Sequence, residues 1–533
     1  MKRFSALLLC CLSFLLPSVR ATDSSLVSAS SVPAAVSHSV PSLAVPTDEE
    51  ILKEFKKYFR KFKETSDRVE AIMALDGTDS PQLVDVLLPI LKDKDTEVVD
   101  AAVKILAGLK GETSVAAVFV ALAEKKDEPS RLGILRVIAE GGLKGDYEPL
   151  LECLSDKSWR IRYRVVLALA ARNEKRSVPR FIELTADKEP AVRCAAMEAL
   201  GNFHEEAVVD IGIEALQDKT WQVRSSAAKV LLQVRARRSI GPLVAAMEVE
   251  EGRLLKDFSL ALEEITGKFY GMRTEEWRKW WTTNVERFEI PSDEQLASTK
   301  AKRAENAAIY SPPGSTSYHG IESPSRRVLF IIDVSGSMEA QVIEKERFED
   351  GDYPSMSRID IVKTELQRTI EGLESYVELN ILAFATQVKP WKKEIVKCNV
   401  LNKKSAMEWV GRLEAIGGNS KEGLARAGLT GAANLGEGKT NTYGVLMRAL
   451  DVEGGRGSQD EAYEVAVDTI FFLSDGRPTV GELVDPDDIL REVQIANELR
   501  KVVIHTIALG EFQKEFMKTL ARQNNGQFVD LGR

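Results

Sequence analysis

A period of 31 residues constrains this chain more than any other feature. Asp156, Asp187 and Asp218 stand 31 apart, as do Arg131, Arg162, Arg193 and Arg224. Ile161, Val192 and Val223 share the spacing, and so do Ile138, Leu169, Leu200 and Leu231. Each unit approximates D-K-x-x-x-V-R-x-x-A-A-x-x-A-L, followed by a polar break and a second apolar segment such as VPRFIELTAD. Apolar residues at i, i+3, i+4 and i+7 make both segments amphipathic helices. Two such helices cannot bury their faces alone, so each unit must stack on its neighbours. The spacing predicts one continuous α-helical solenoid over 48–290, with six or seven helix pairs.

These units resemble HEAT repeats. The resemblance implies that Arg162, Arg193 and Arg224 bond to turn carboxylates and carbonyls of adjacent units. At the amino end, Ile51, Phe55, Tyr58, Phe59 and Phe62 share a helical face, as expected of an atypical capping layer. At the other end, Trp277, Trp280 and Trp281 are placed to close the last apolar face.

Residues 1–21 carry a positive start (Lys2, Arg3), an apolar run from Ala6 to Leu16 and a small-residue site at Val19–Ala21. This is the pattern of a signal peptide, and it predicts a secreted or periplasmic protein. Removal of Lys2, Arg3 and Arg20 would take the net charge from -9 to -12. So acidic a chain is not expected to bind nucleic acid. Cys10 and Cys11 leave with the signal. The remaining Cys153, Cys194 and Cys398 are an odd, widely spaced set that does not form a disulfide scaffold. Residues 22–47, rich in Ser, Ala, Val and Pro, read as a flexible spacer.

Residues 291–325, with Pro312-Pro313-Gly314, read as a linker. Beyond it the pattern changes to strand-length apolar runs alternating with helical stretches. The strands are expected at 328–333, 377–385, 394–398, 468–475, 502–509 and 527–531. This alternation predicts an α/β doubly wound, mostly parallel sheet over 326–533. Ligands bind such sheets at the carboxyl ends of the strands. There the first strand delivers Asp333, Ser335 and Ser337 in one tight loop, and the fourth delivers Asp475. Between them, Thr440 lies in a loop leading into a helix. Hydroxyls and carboxylates are hard oxygen donors, suited to Mg2+ and poorly suited to zinc.

D-x-S-x-S after a buried strand, G-x-T-N-T-x-G before a helix and an apolar strand ending S-D-G together resemble the von Willebrand factor type A domain. The resemblance implies a metal-ion-dependent adhesion site holding Mg2+, with Mn2+ or Ca2+ as alternatives. Ser335, Ser337 and Thr440 would ligate directly, and Asp333 and Asp475 mostly through waters. The open coordination position would accept an acidic residue of a protein partner. The whole chain resembles bacterial exported proteins that join the two modules, and it implies binding rather than catalysis.

Two departures from the family pattern stand out. Insertions at Glu339–Met356 and Gly417–Glu437 are expected to form mobile surface loops near the site. No candidate for the family's C-terminal helix follows the last strand, so integrin-style switching is not expected.

The residues also admit three alternatives. Ala433 to Thr440 loosely matches a phosphate-binding loop, but no β-branched run precedes it and its first position is Ala. Serine hydrolysis would need a base beside Ser335 or Ser337, and His505 falls inside a strand. A HEAT scaffold with a purely structural metal remains as a non-adhesive reading.

Overall fold

The computed structural model describes residues 47–205, 207–307, 317–318, 321–342, 345, 348, 351–416, 438–450, 465–509 and 514–531 of 533. The signal-like segment, almost all of the spacer, the Pro312–Gly314 turn and the 417–437 insertion lie outside these residues. So does most of the 433–440 loop.

The period becomes a layer of seven helices: α1 (Thr65–Met73), α2 (Thr96–Ala107), α3 (Glu128–Glu140), α4 (Trp159–Ala171), α5 (Pro190–Asn202), α6 (Trp221–Val234) and α7 (Gly252–Thr266). From α4 onward each begins 31 residues after the last. A second layer of mostly shorter helices, such as Val178–Leu184 and Ile240–Val249, packs behind them. Their apolar faces merge into one core that includes Leu169, Leu200 and Leu231.

An arginine–aspartate ladder sets the register of the stack. Arg162 forks onto Asp187, with Nε and Nη2 at 2.8 and 2.7 Å, while its Nη1 donates to the Asp156 and Lys157 carbonyls. Arg193 repeats this one unit on, with Asp218 at 2.9 Å and the Asp187 and Lys188 carbonyls. Arg224 donates to the Asp218 carbonyl and pairs with Glu250 at 2.6 Å. One guanidinium thus satisfies its own turn and the turn of the next unit.

The ends close as the sequence implies. Leu52 and Phe55 of the first helix (Asp48–Tyr58) are buried, and Thr47 with Glu50 forms a capping box. Trp277 is fully buried, donates to the Gly271 carbonyl at 2.8 Å and meets Tyr270 edge-on, with Trp280 and Trp281 packed beside it. Cys153 and Cys194 are buried free thiols within the stack.

The 291–325 segment is not simply a linker. Asp293–Ala307 is a helix. Ser292 caps it in reciprocal bonds with Gln295, and helix formers such as Gln, Ala and Lys fill it. Tyr318, in a short hairpin with Ile321, is buried edge-on against Phe330 and Phe471.

The second module is a sheet of seven strands: β1 (Arg327–Asp333), β2 (Glu378–Phe384), β3 (Val388–Pro390), β4 (Val396–Lys397), β5 (Thr469–Ser474), β6 (Val503–Ala508) and β7 (Phe528–Asp530). Its order is β3-β2-β1-β5-β6-β7, with β4 also pairing β2. β2, β1, β5, β6 and β7 run parallel, and β3 and β4 are antiparallel. The edge strand β3 has no apolar run to announce it.

Both faces of β1 are buried. Val328, Phe330 and Ile332 face α8 (Arg358–Gly372) and α9 (Val400–Gly411), whereas Leu329 and Ile331 face α10 (Thr442–Ala449), α11 (Pro486–Arg500) and α12 (Lys514–Gln523). The first insertion is not free either. Val342 and Phe348 are buried on Ile361 of α8, because those two apolar side chains outweigh the surrounding Lys and Glu.

The two modules are docked. α11 and the amino ends of the strands lie on the α2–α7 layer. Leu499 joins the solenoid core, and Trp221 packs on the sheet-side core. Glu198 accepts from Lys501 at 2.5 Å and Lys229 at 2.7 Å. These two ammonium groups hold the buried Glu198 carboxyl far below the usual carboxylate range, against the opposing effect of burial. Arg164 pairs with Glu498, Arg491 with Asp100 and Arg326 with Glu251, and Arg253 donates to the Lys501 carbonyl.

Arg193→Ala should leave Asp218 without its fork and lower solenoid stability by about 3 kcal/mol, read as an earlier urea transition in the helical circular dichroism. A second expectation concerns His505, buried in β6, stacked on Phe471 and accepting from the Gln527 amide at Nδ1. Burial, and then Lys256 and Arg253, depress its pKa to about 4 from the ordinary 6.5. The unfolded chain therefore binds the extra proton first, so stability is full above 6.5 and falls as pH drops toward 4. Between pH 7 and 5 the loss should be about 2 kcal/mol, and His505→Gln should flatten it.

Candidate metal centre

β1 sits between β2 and β5, where the chain's order reverses, and this is the position at which open α/β sheets gather ligands. Asp333 ends β1, and Asp475 follows Ser474 at the end of β5. Register places Ile332 beside Leu473, so the two carboxylates emerge at one edge.

The loop after β1 is tied down by backbone. The Val334 amide donates to the Phe384 carbonyl, the Ile416 amide to the Val334 carbonyl, and the Gly336 amide to the Gly438 carbonyl. Thr440 is held by a reciprocal pair with Thr479: its amide donates to the Thr479 hydroxyl, and the Thr479 amide donates back to its carbonyl, both at 2.9 Å. Asn441 then caps α10 by accepting from the Gly444 amide.

All five residues expected from the sequence converge. Asp333 accepts from the Ser335 amide at 2.8 Å and the Ser474 hydroxyl at 2.6 Å. Ser337 donates to Asp475 Oδ1 at 2.7 Å, and its Oγ lies 3.2 Å from that of Ser335. The remaining space faces Gly476. A β-carbon there would stand 3.1 Å from Thr440 Oγ1, 3.4 Å from Ser337 Oγ and 3.8 Å from Asp333 Oδ2. Thr442, the second threonine of the motif, instead opens helix α10.

Asp333, Ser335, Thr440 and Asp475 are buried, whereas Ser337 is exposed and marks the mouth of the site. Burial, and then the neighbouring Asp475 carboxylate, push the Asp333 carboxyl well above the usual range, although the Ser335 and Ser474 bonds oppose this. Two carboxylates crowded together out of water call for a cation. Among the described residues no group of three or more His, Cys, Asp or Glu side chains is gathered. The donors here are two carboxylates and three hydroxyls around a small space, a set that fits a hard divalent ion.

Three participants were not singled out from the sequence. Ser474 lies inside the S-D-G motif but is not one of its expected ligands, and Thr479 carries no local signal. Arg358, whose Nη1 lies 2.5 Å from Asp475 Oδ2, is the first residue of α8. A cation opposed to the helix dipole is the clue it offered. Ser474→Ala should remove a buried donor from Asp333 and cost about 1–3 kcal/mol, measured in EDTA by chemical denaturation.

Family models for HEAT repeats match residues 60–139, 147–231 and 179–263, and one for the von Willebrand factor type A domain matches residues 351–530. The latter stretch includes Thr440 and Asp475 and starts after the Asp333–Ser337 loop. Human inter-alpha-trypsin inhibitor heavy chain H4 is 23% identical over 208 residues, 39% of this chain and 18% of that protein. Heavy chain H1 of Mesocricetus auratus is 24% identical over 205 residues, 38% of this chain and 18% of that protein. The chain thus spans less than a fifth of the length of these relatives. A crystal structure of Kap121p bound to Pho4p aligns over 48% of this chain and 33% of its own, at 16% identity and a TM-score of 0.35. This chain joins HEAT repeats to a von Willebrand factor type A domain.

Proposed function

We propose that this protein binds a protein partner through a divalent cation held by Asp333, Ser335, Ser337, Thr440 and Asp475. Mg2+ is the first choice, with Mn2+ or Ca2+ as substitutes. The observation that carries this reading is the convergence of five oxygen-bearing side chains from three chain segments on the space facing Gly476. When bound, the cation supplies a coordination position that an acidic side chain of the partner can fill.

The protein's own groups prepare that capture. Ser337 donates its hydroxyl hydrogen bond to Asp475 and meets the Ser335 hydroxyl at 3.2 Å, which leaves its oxygen one lone pair for a metal. Ser335, through its amide, and Ser474, through its hydroxyl, fix Asp333 without using its full acceptor capacity. The exposed Ser337 lies where a partner would approach. The net negative charge expected of the processed chain would repel an acidic partner, so a bridging cation is what makes such a partner acceptable.

Catalysis is not part of this reading. The serine hydroxyls contact carboxylates and one another rather than an imidazole, and His505 is committed to the Gln527 amide inside β6. Export rests on the signal-like residues 1–21. The solenoid's role is to hold the sheet module by α11 and by the amino ends of its strands, opposite the edge that carries Asp333. A partner that also reads the solenoid would meet its outer layer, because the α2–α7 layer is engaged within the chain.

Calorimetric titration of the full chain with magnesium chloride should give saturable binding, lost in Ser337→Ala without a change in melting temperature in EDTA. Envelope proteins captured by the wild type in magnesium should be released by EDTA. Normal magnesium binding by Ser337→Ala would defeat the site. Capture indifferent to EDTA would favour a scaffold whose metal is structural.

A further inference from the structure

We infer that Arg358 is a built-in competitor of the metal, and that it sets how tightly the cation is held. The inference rests on the metal-binding reading of Asp333 and Asp475. Arg358 Nη1 lies 2.5 Å from Asp475 Oδ2, while Asp475 Oδ1 takes the Ser337 hydroxyl. Both oxygens of that carboxylate are therefore engaged, one by a permanent cation. The Arg358 side chain is 12% exposed and that of Asp475 is 0% exposed, so solvent screens the pair little.

Its placement is deliberate in two ways. The Arg358 amide donates to the Ala340 carbonyl at 2.9 Å, and Gln341 bridges Ser357, which ties the residue to the segment just after the Asp333–Ser337 loop. Arg358 also opens helix α8, directly after the capping Ser357. A guanidinium there opposes the helix dipole and gains nothing locally. The carboxylate of Asp475 is what accounts for it.

The electrostatic consequence has a definite sign. With both carboxylates ionised, as a bound cation requires, they and the one guanidinium leave the site with one net negative charge. A divalent ion entering beside Arg358 is repelled by it and must share Asp475 with it. Removing the positive charge leaves the same oxygens with a larger net charge, and cation affinity rises. Arginine keeps its charge at any physiological pH, so the effect is constant. The arrangement makes occupancy conditional on the cation concentration around the protein, and it gives Asp475 a counter-charge at all times.

The test uses the full chain and magnesium chloride alone, in wild type, Arg358→Gln and Arg358→Lys. Arg358→Gln retains a donor for Asp475 but no charge, and Arg358→Lys retains the charge. Calorimetry should show affinity rising by about tenfold or more in Arg358→Gln and staying within about twofold of wild type in Arg358→Lys. In EDTA, Arg358→Gln should melt below wild type, and saturating magnesium should restore most of the difference. A residue that only pinned the segment would lower the melting temperature equally with and without magnesium and leave affinity unchanged. Equal or weaker magnesium binding by Arg358→Gln, or a full gain in Arg358→Lys, overturns the inference and leaves the metal site standing. No binding by any of the three proteins defeats the metal reading itself, and this inference with it.

Discussion

The parallel pairing of β1 with both β2 and β5 is the constraint on which the second module depends. Through it, Asp333 and Asp475, far apart in the chain, reach one sheet edge, and the loops carrying Ser337 and Thr440 bond to each other's backbone. Paired on both sides and covered on both faces, β1 has little freedom to shift. Its carboxyl end is thus a fixed point for a cluster that is costly to assemble. Two buried carboxylates repel each other and lose hydration, and they persist because Ser335, Ser474, Ser337 and Arg358 each supply a hydrogen bond.

Much of this could be read from the sequence, for identifiable reasons. The solenoid was legible because stacking repeats the same demand every 31 residues, so Arg162 and Arg193 advertise their partners by position alone. Asp333, Ser335, Ser337 and Asp475 were legible because they follow the ends of buried strands, and Thr440 because its G-x-T-N-T-x-G run stands between them in the order of the resembled family. What escaped depended on partners distant in sequence. Arg358 belongs to the site through a contact across 117 residues, and Thr479 reaches Thr440 across 39. The helix at 293–307 was hidden by the Pro-Pro-Gly run that follows it, although Ser292 and Gln295 spelled its cap. The first insertion read as mobile because its charges outnumber Val342 and Phe348, yet those two residues decide where it lies.

Docking of the modules could not be foreseen from either pattern. Glu198 occupies a position on α5 that the repeat leaves free to vary, and Lys501 sits just past α11 in a left-handed conformation, with φ of 55°. Neither belongs to a motif. Beside them lies a half-open pocket of about 170 Å³ lined in part by Tyr163, Cys194 and Leu499, so the ion pairs run alongside a gap in the packing. The ion pairs between the modules lie along α11 and the amino ends of the strands, and the metal-site loops are left to the opposite edge.

A helical array held together only by nearest neighbours can gain or lose a unit at small cost, since each interface resembles the next. This array has surrendered that liberty. Asp100 on α2, Arg164 on α4, Glu198 on α5 and Arg253 on α7 all meet a single rigid domain. Adding or deleting one unit between them would carry some of these residues out of reach of their partners while others stayed put. The sheet module therefore acts as a ruler laid across the repeats, and it fixes their number in a way that no contact inside the solenoid does.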